Sequence, residues 1–416
     1  MVFLKMTLLF ILNIFTKRDI KKIPKNLNKV QNSKPIRIGI DAVNIRDGGG
    51  ITHLKEILSN AEPSLDNFNE IILWSSKDTL LNIENKPWLK KKTVSANNFL
   101  SRTLWQIFKL SKELNNSSCD ILFVPGGSFT TSFKPVLTMN HSLLPFQSRE
   151  ILRYGISIKT IKFFLLRLTQ TSSFRRSNGI IFLTHNSKKI VLKKIDNYKV
   201  LNQVINHGTN ESFFCEPGLK KDINFYNNEN RFKIINVSAI EPYKHHSKLI
   251  EAIKLLHDEG YPISLEIYGT GDKRSIRKLI KYVHINDPQS EYIFYKGLVR
   301  YEELSKAYST SDLFLFSSTC ESFGQTLTEA MASGLPVACS NKSSAPELLT
   351  SSGLYFDPHN TAEIADTVRK LLDSKELRKS LSKSSYLRAC SFSWYDCTRL
   401  TFKFMRKVHK KYNENA

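Results

Sequence analysis

The sequence predicts an α/β protein made of two doubly wound parallel-sheet domains that face a central cleft. Three observations predict it. Short β-rich runs alternate with longer helical stretches from "PIRIGI" (35–40) onward. The same alternation starts afresh at "FKIINVS" (232–238), and between the two halves residues 207–231 interrupt all periodicity with Pro217, Gly218 and an Asn-rich patch. Strand–helix–strand repetition gives parallel sheets covered on both faces. At 416 residues the chain is too long for one ordinary core and suited to two.

The first strand is placed at 36–40, because what precedes it is basic and irregular. Further strands are placed at 70–74, 120–124, 136–139, 179–183 and 200–205, with helices at 51–60, 102–115, 151–174 and 186–194. In the second half "FKIINVS", "SLEIYG", "YIFYKG", "DLFLFSS", "PVACS" and "GLYFD" alternate with helices. The expected organisation is an extension at 1–34, a first domain at 35–206, a linker at 207–230 and a second domain at 231–393. A basic helix at 394–416 has no strand after it and is free to cross back onto the first domain.

Hydrophobic residues make up 41% and charged residues 24%, which is a globular composition. Lys and Arg number 61 against 38 Asp and Glu, a formal net charge of +23 that implies an anionic partner. Nucleic acid, an acidic membrane surface and a phosphorylated ligand all qualify, although a Lys- and Asn-rich composition accounts for part of the charge by itself. No nucleic acid is expected, because no recognised binding motif appears and the basic residues are spread along the chain. The six cysteines form no C-x-x-C pair and no zinc-type spacing, which fits a reducing cytosol. Residues 2–15, "VFLKMTLLFILNIF", are apolar but carry Lys5 and fall short of the ~20 residues a spanning helix needs. A signal peptide is disfavoured, since "TKRDIKK" stands where a small-residue cleavage site belongs. Two readings stay open: an interfacial helix with a basic flank on an anionic leaflet, and an extension ahead of the folded chain with Met6 as the start.

Ligands of open α/β sheets bind at the carboxyl ends of strands, where loops lead into helix N-termini. Gly48, Gly49 and Gly50 follow the first strand and precede a helix opening at Ile51, so they fit both a close approach to an anion and a flexible turn. Lys244, in "INVSAIEPYKHHSKLIEAI", stands beyond a strand and can reach a phosphate over the cleft, or be a solvated lysine. Its neighbours His245 and His246 read as ordinary polar residues. His141 follows another strand and fits a sugar-hydroxyl donor as well as a structural loop residue. In "STCESFGQTLTEAMASGLPV" Phe323 and Gly324 make a corner, and a helix runs from about Gln325 to Ser333. The N–H groups of Gly324, Gln325 and Thr326 then point out of the helix start, ready for a diphosphate. Glu329, one turn in, has two oxygens suited to a vicinal diol such as a ribose, and Glu321 meets whatever lies beyond the phosphates. A dipole-favoured Glu321 and a solvated Glu329 explain the same spacing without a ligand.

The span from "RIGIDAVN" to the C-terminal helix resembles the retaining glycosyltransferases of the GT-B fold, most closely glycosyltransferase family 4 of the group 1 type. The resemblance rests on the E-x7-E pattern from Glu321 to Glu329, followed by "SSAPELL" and "GLYFDP" in the family's order. It implies two Rossmann-like domains. It implies that Glu321 binds hydroxyls of the donor sugar and Glu329 the ribose, while the corner of Phe323, Gly324, Gln325 and Thr326 holds sugar and diphosphate. Lys244, with Ser238 ahead of it, is implied to bind the diphosphate; Gly49 and Gly50 line the cleft, and His141 lies near the sugar. Glu321, His141 and Lys244 are the catalytic candidates. Many family members carry an arginine five residues before that lysine, where this chain has Ala239.

The implied reaction moves a sugar from a UDP- or GDP-sugar to a hydroxyl of a glycan or lipid-linked acceptor, with retention at the anomeric carbon. No residue is an obvious covalent nucleophile, and a front-face attack assisted by the departing phosphate is the family expectation. No cofactor is expected, and no metal, since no D-x-D sequence is present. Two alternatives stand: a sugar-nucleotide epimerase on the same fold, and a catalytically silent nucleotide-binding member, for which Ala239 is the reason. The setting implied is cell-envelope polysaccharide or glycolipid biosynthesis, by a cytoplasmic enzyme peripheral on the inner face of the plasma membrane. Residues 151–177 offer a surface for it: Ile158, Ile161, Phe164, Leu165 and Leu168 form an apolar stripe among Arg153, Lys159, Lys162, Arg167, Arg175 and Arg176. A core helix with a solvated face gives the same pattern.

Overall fold

The run Ile36–Asp41 (β1) is buried at nearly every position, as a strand covered by helices on both faces must be. It lies in a seven-stranded parallel sheet of order β3-β2-β1-β4-β5-β6-β7. The other strands are Phe68–Ser75 (β2), Leu89–Thr93 (β3), Ile121–Val124 (β4), Val136–Asn140 (β5), Gly179–Phe182 (β6) and Leu201–Val204 (β7). A second parallel sheet holds six strands in the order β10-β9-β8-β11-β12-β13. These are Phe232–Val237 (β8), Ile263–Tyr268 (β9), Ile293–Gly297 (β10), Leu313–Phe316 (β11), Val337–Ser340 (β12) and Leu354–Phe356 (β13). This computed structural model describes residues 35–46, 48–96, 98–197, 199–218 and 221–415, so the extension at 1–34, with the anchor reading of residues 2–15, lies outside the described residues. Both domains are Rossmann-like, as the sequence predicts.

In each sheet the strand order reverses beside the domain's first strand, between β1 and β4 and between β8 and β11. Reversal of this kind opens a crevice at the carboxyl ends of the strands. Four helices matter for what fills it: Gly48–Asn60 (α1), Ile158–Arg176 (α2), His246–Asp258 (α3) and Gln325–Ala332 (α4). A fifth, Trp394–Asn413 (α5), follows the second domain and packs on the first. Its Phe402 ring stacks on Phe68 at 5.1 Å, and Arg399 pairs with the buried Asp66 at 2.9 Å.

Among the departures from the sequence reading, four stand out. Strand β3, "LKKKT", was not predicted. It is an edge strand that buries only Leu89 fully, and edge lysines discourage pairing with another chain. The helix expected to open at Ile51 begins at Gly48, so the glycines form its first turn, where N–H groups have no intrahelical partner in any case. The helix expected at 151–174 is two, Ser148–Leu152 and α2, broken at Gly155 with φ +62°, a backbone state that glycine alone enters freely. Finally, α2 turns its apolar stripe outward: Ile158 is 86% and Leu168 67% exposed, while its buried residues are Gln170, Ser173 and Phe174. The core-helix reading of that stripe is therefore wrong.

Candidate active site

Two loops at the switch point of the second sheet meet. After β8 the chain "SAIEPYKHH" crosses to the loop after β11, "SSTCES", and is tied to it along its backbone. Thr319 N–H donates to the Tyr243 carbonyl at 3.0 Å, and Ser317 Oγ donates to the Lys244 carbonyl at 2.5 Å. Lys244 is thereby held at 8% exposure with its Nζ hydrogen-bonded to Glu321 Oε1 and 5.7 Å from the centre of the Phe316 ring. The structure thus brings two of the sequence candidates, Lys244 and Glu321, into one ion pair, and the solvated-lysine reading fails. Glu321 is fixed in turn through its backbone, its N–H donating to Ser343 Oγ at 2.7 Å and its carbonyl accepting from the same hydroxyl at 2.9 Å.

His245 and His246 are not ordinary surface polar residues. Both are buried, and burial pushes each imidazole down to about 3. His245 sits at φ +52° against Thr319 Oγ1 at 3.2 Å, and His246 Nε2 lies 2.9 Å from Ser238 Oγ. Ser238, a donor-binding candidate, thus has its hydroxyl turned inward, where it supports the loop. Ala239 beside it is exposed.

Gly324 takes φ +116° at the corner, a state open to glycine, and lets α4 start at once. Among the described residues no side chain accepts from the N–H groups of Gly324, Gln325 or Thr326, so this helix start is open to an anion. The side chains of the corner do other work. Phe323 is buried between the His207 and Phe392 rings, and Gln325 Nε2 donates to the Gly208 carbonyl at 2.9 Å. Glu329 does not join Glu321. It is 4% exposed beneath Tyr308, whose hydroxyl lies 3.3 Å from Oε2, and burial pushes its carboxyl up to about 8. The solvated-carboxylate reading of Glu329 fails.

The first domain reaches the corner from the other side. Ser322 Oγ donates to the His141 carbonyl, and Thr184 Oγ1 donates to the Ser322 carbonyl at 2.9 Å. Glu347, from "SSAPELL", accepts the N–H groups of His185 and Asn186 at 2.7 and 3.0 Å and so caps a first-domain helix. Lys159 on α2 binds both Glu241 and Asp272 of the second domain. Gly49 and Gly50 form the first turn of α1, and the space where Gly49 would carry a Cβ is open. One turn further on, His53 meets His141 and His207, with ring centres 4.9, 4.9 and 5.4 Å apart. Burial pushes His141 down to about 4 and holds His53 and His207 well below the usual imidazole range. Sequence reasoning missed His53 and His207, whose spacing from His141 carries no motif. It also missed Asp41 at the end of β1, which burial raises to about 6 while Gln106 Nε2 donates to it at 2.5 Å.

Residues 220–388 match the family model "Glycosyl transferases group 1". Among curated proteins, the O-antigen chain mannosyltransferase B of Escherichia coli is 30% identical over 168 residues, 40% of this chain and 43% of that protein. The serotype-specific mannosyltransferase WbdA of Escherichia coli is 24% identical over 286 residues, 66% of this chain and 34% of that protein. The chain thus spans less than half the length of these relatives. Among solved structures, sucrose-phosphate synthase from Thermosynechococcus elongatus superposes with a TM-score of 0.71 at 15% identity, over 92% of this chain and 100% of that one. Anabaena HepE in complex with UDP and glucose gives 0.63 at 16% identity over 91% and 99%. WaaG, a glycosyltransferase involved in lipopolysaccharide biosynthesis, gives 0.65 at 13% identity over 88% and 99%. The fold is that of the GT-B glycosyltransferases. Among the described residues no helix is long and apolar enough to cross a membrane.

Proposed function

We propose that this chain is a glycosyltransferase that moves a sugar from a nucleoside-diphosphate sugar to an acceptor hydroxyl, with retention, in the biosynthesis of an envelope polysaccharide or glycolipid. The observation that carries the reading is the Lys244–Glu321 ion pair beside the open N-terminus of α4. As the glycosidic bond breaks, the leaving diphosphate gathers negative charge. A buried lysine and unpaired helix N–H groups stabilise that charge from fixed positions, without reorganising solvent. Glu321 is paired with Lys244 in the structure. A donor diphosphate takes the lysine over and frees the Glu321 carboxylate to accept from sugar hydroxyls. With Ala239 in place of an arginine, Lys244 and the helix start carry the phosphate charge in these two loops.

Glu329 serves the ribose in this reading; burial raises its carboxyl to about 8, so binding a diol through both oxygens near neutral pH is expected to release a proton. The names of the curated relatives point to mannose as the transferred sugar, and the HepE complex to UDP as a nucleotide the fold accepts. The test is a panel of GDP- and UDP-sugars, mannosyl donors first, incubated with the protein and extracted envelope acceptors. Release of nucleoside diphosphate that depends on acceptor supports the proposal. Epimerised donor without acceptor, or donor binding without any product, overturns it in favour of an epimerase or a silent binder.

The same proposal sets the enzyme on the cytoplasmic leaflet. The outward stripe of α2 is what a peripheral helix presents to acyl chains, and exposed Leu152 and Ile156 extend it. Its basic rim is partly engaged: Lys159 bridges the domains, Arg153 pairs with Glu150, and Arg175 and Arg176 donate to backbone carbonyls. Docking then rests more on apolar insertion than on free charge. Co-sedimentation with anionic vesicles that survives high salt supports this, and full recovery in the supernatant with every vesicle removes it.

A further inference from the structure

Three histidines meet at the floor of the first domain: His53 and His207 have no assigned role in the donor chemistry, His141 is a donor-side candidate by resemblance, and four of their six ring nitrogens are buried without a partner. His53 comes from α1, His141 from the loop after β5 and His207 from the chain leaving β7. Each offers a ring nitrogen, and these three atoms all lie within 4.8 Å of one another. Both nitrogens of His53, and Nε2 of His141 and of His207, are buried without a hydrogen-bond partner in the protein. His53 is 0% and His207 5% exposed, so bulk water does not satisfy them. A neutral imidazole carries one N–H and one lone pair, and buried polar atoms of native proteins almost always find partners. Three ring nitrogens gathered within 4.8 Å, with His53 unpartnered at both of its nitrogens, suit an ion that accepts electron pairs.

We propose that His53, His141 and His207 bind one divalent transition-metal ion, zinc in the first instance. Imidazole suits zinc, copper, nickel and iron and suits magnesium poorly. Small ring rotations bring nitrogens within 4.8 Å to the roughly 3.3 Å spacing that ~2.05 Å bonds to a tetrahedral zinc require. Three protein ligands leave a fourth position for water, and His141, the one half-buried member, gives the ion a way in. The aromatic wall of Phe123, Trp394 and Phe323 around the rings excludes further water, which strengthens such a site. The ion would tie α1 to two loops that border the cleft. It is a different kind of metal from one that bridges a donor diphosphate through carboxylates, and by taking up the His141 ring it stands in place of a direct contact between that ring and the donor sugar.

The test uses untagged full-length protein, stripped with a chelator and titrated with Zn2+, Co2+ and Mg2+. Expected are one Zn2+ per chain, a raised melting temperature in excess Zn2+, and an intense visible band with Co2+ that reports four-coordination. His207→Asn and His53→Asn each weaken Zn2+ binding by about tenfold or more. His53 is fully buried and its substitution can disturb the fold, so His141→Gln at the half-buried edge is the third variant, with circular dichroism checking each. Failure of the wild-type chain to take up Zn2+ in stoichiometric amount overturns the proposal. So does wild-type affinity in any folded variant, or Mg2+ binding as tight as Zn2+. Should no variant fold, the wild-type stoichiometry and the Co2+ band decide.

Discussion

Glu321 and Glu329 stand eight residues apart on either side of one glycine corner, and the fold gives them opposite surroundings. Glu321 lies in the loop before the corner, half-buried, paired with Lys244 and hydrogen-bonded through its backbone to Ser343. Glu329 lies one helical turn beyond it, buried beneath Tyr308 without a cation, and burial alone lifts its carboxyl to about 8. Two identical side chains eight residues apart therefore meet different electrostatics: one is paired with a lysine, and burial raises the other. The difference teaches that a two-carboxylate motif is not a pair of charges. Its first member is paired with a cation, and its second is buried without one.

The comparison breaks most visibly at the cation. Lys244→Ala is expected to lower turnover by roughly 10²–10³ with a smaller change in donor affinity, since the diphosphate is most negative as it leaves. Steady-state kinetics with the donor found by the panel checks this, and turnover within a factor of two of wild type takes Lys244 out of the site. Glu321→Gln keeps shape and one acceptor but removes the charge, and is expected to cost ~1.5–3 kcal/mol in kcat/KM, or about 10–100-fold. An unchanged value means that the sugar does not contact this carboxylate.

Glu329→Gln separates the two acids by pH. Near pH 6 the natural residue is already neutral, so donor affinity by calorimetry is expected to stay within about threefold, roughly 0.6 kcal/mol. Above pH 8 the natural carboxyl ionises and the two proteins diverge, the natural one binding the diol more tightly. Stability moves the other way. The folded chain keeps this proton up to about pH 8, whereas the unfolded chain releases it near 4.5, so the native state holds an extra proton between those values. Stability present below pH 4.5 is lost as pH rises to 8, at up to about 1.4 kcal/mol per pH unit. Asp41, raised from 3.8 to about 6, adds the same sign over its own window. Thermal melts from pH 5 to 8.5 should therefore fall more steeply for the natural protein than for Glu329→Gln, and parallel slopes mean that Glu329 is charged in the fold.

Glu347 sharpens the comparison with a third carboxylate, one that spans the two domains. Glu347→Ala removes the cap on His185 and Asn186, and about 1 kcal/mol of stability is expected to go with it. A lower melting point with unchanged donor affinity is the predicted signature. A loss of donor affinity as large as that of Glu321→Gln would move Glu347 into the site.

What the sequence by itself determined is local and periodic. The alternation of apolar runs and helices placed every strand of the second sheet and all but β3 of the first, because most of these parallel strands are buried and read as apolar runs. It marked Lys244, Glu321 and the Gly324 corner, since a lysine after a strand and a glycine before a helix are decided by backbone geometry a few residues long. Tertiary structure decided whatever depends on neighbours distant in the chain. It turned the Ser238 hydroxyl onto His246, buried Phe323 against His207, buried Glu329 beneath Tyr308 and turned the stripe of α2 to the outside. It also gathered His53, His141 and His207, which no spacing connects. The physical reason is that periodicity encodes which way a side chain leaves its own backbone, whereas solvation and charge are set by the surfaces that fold against it.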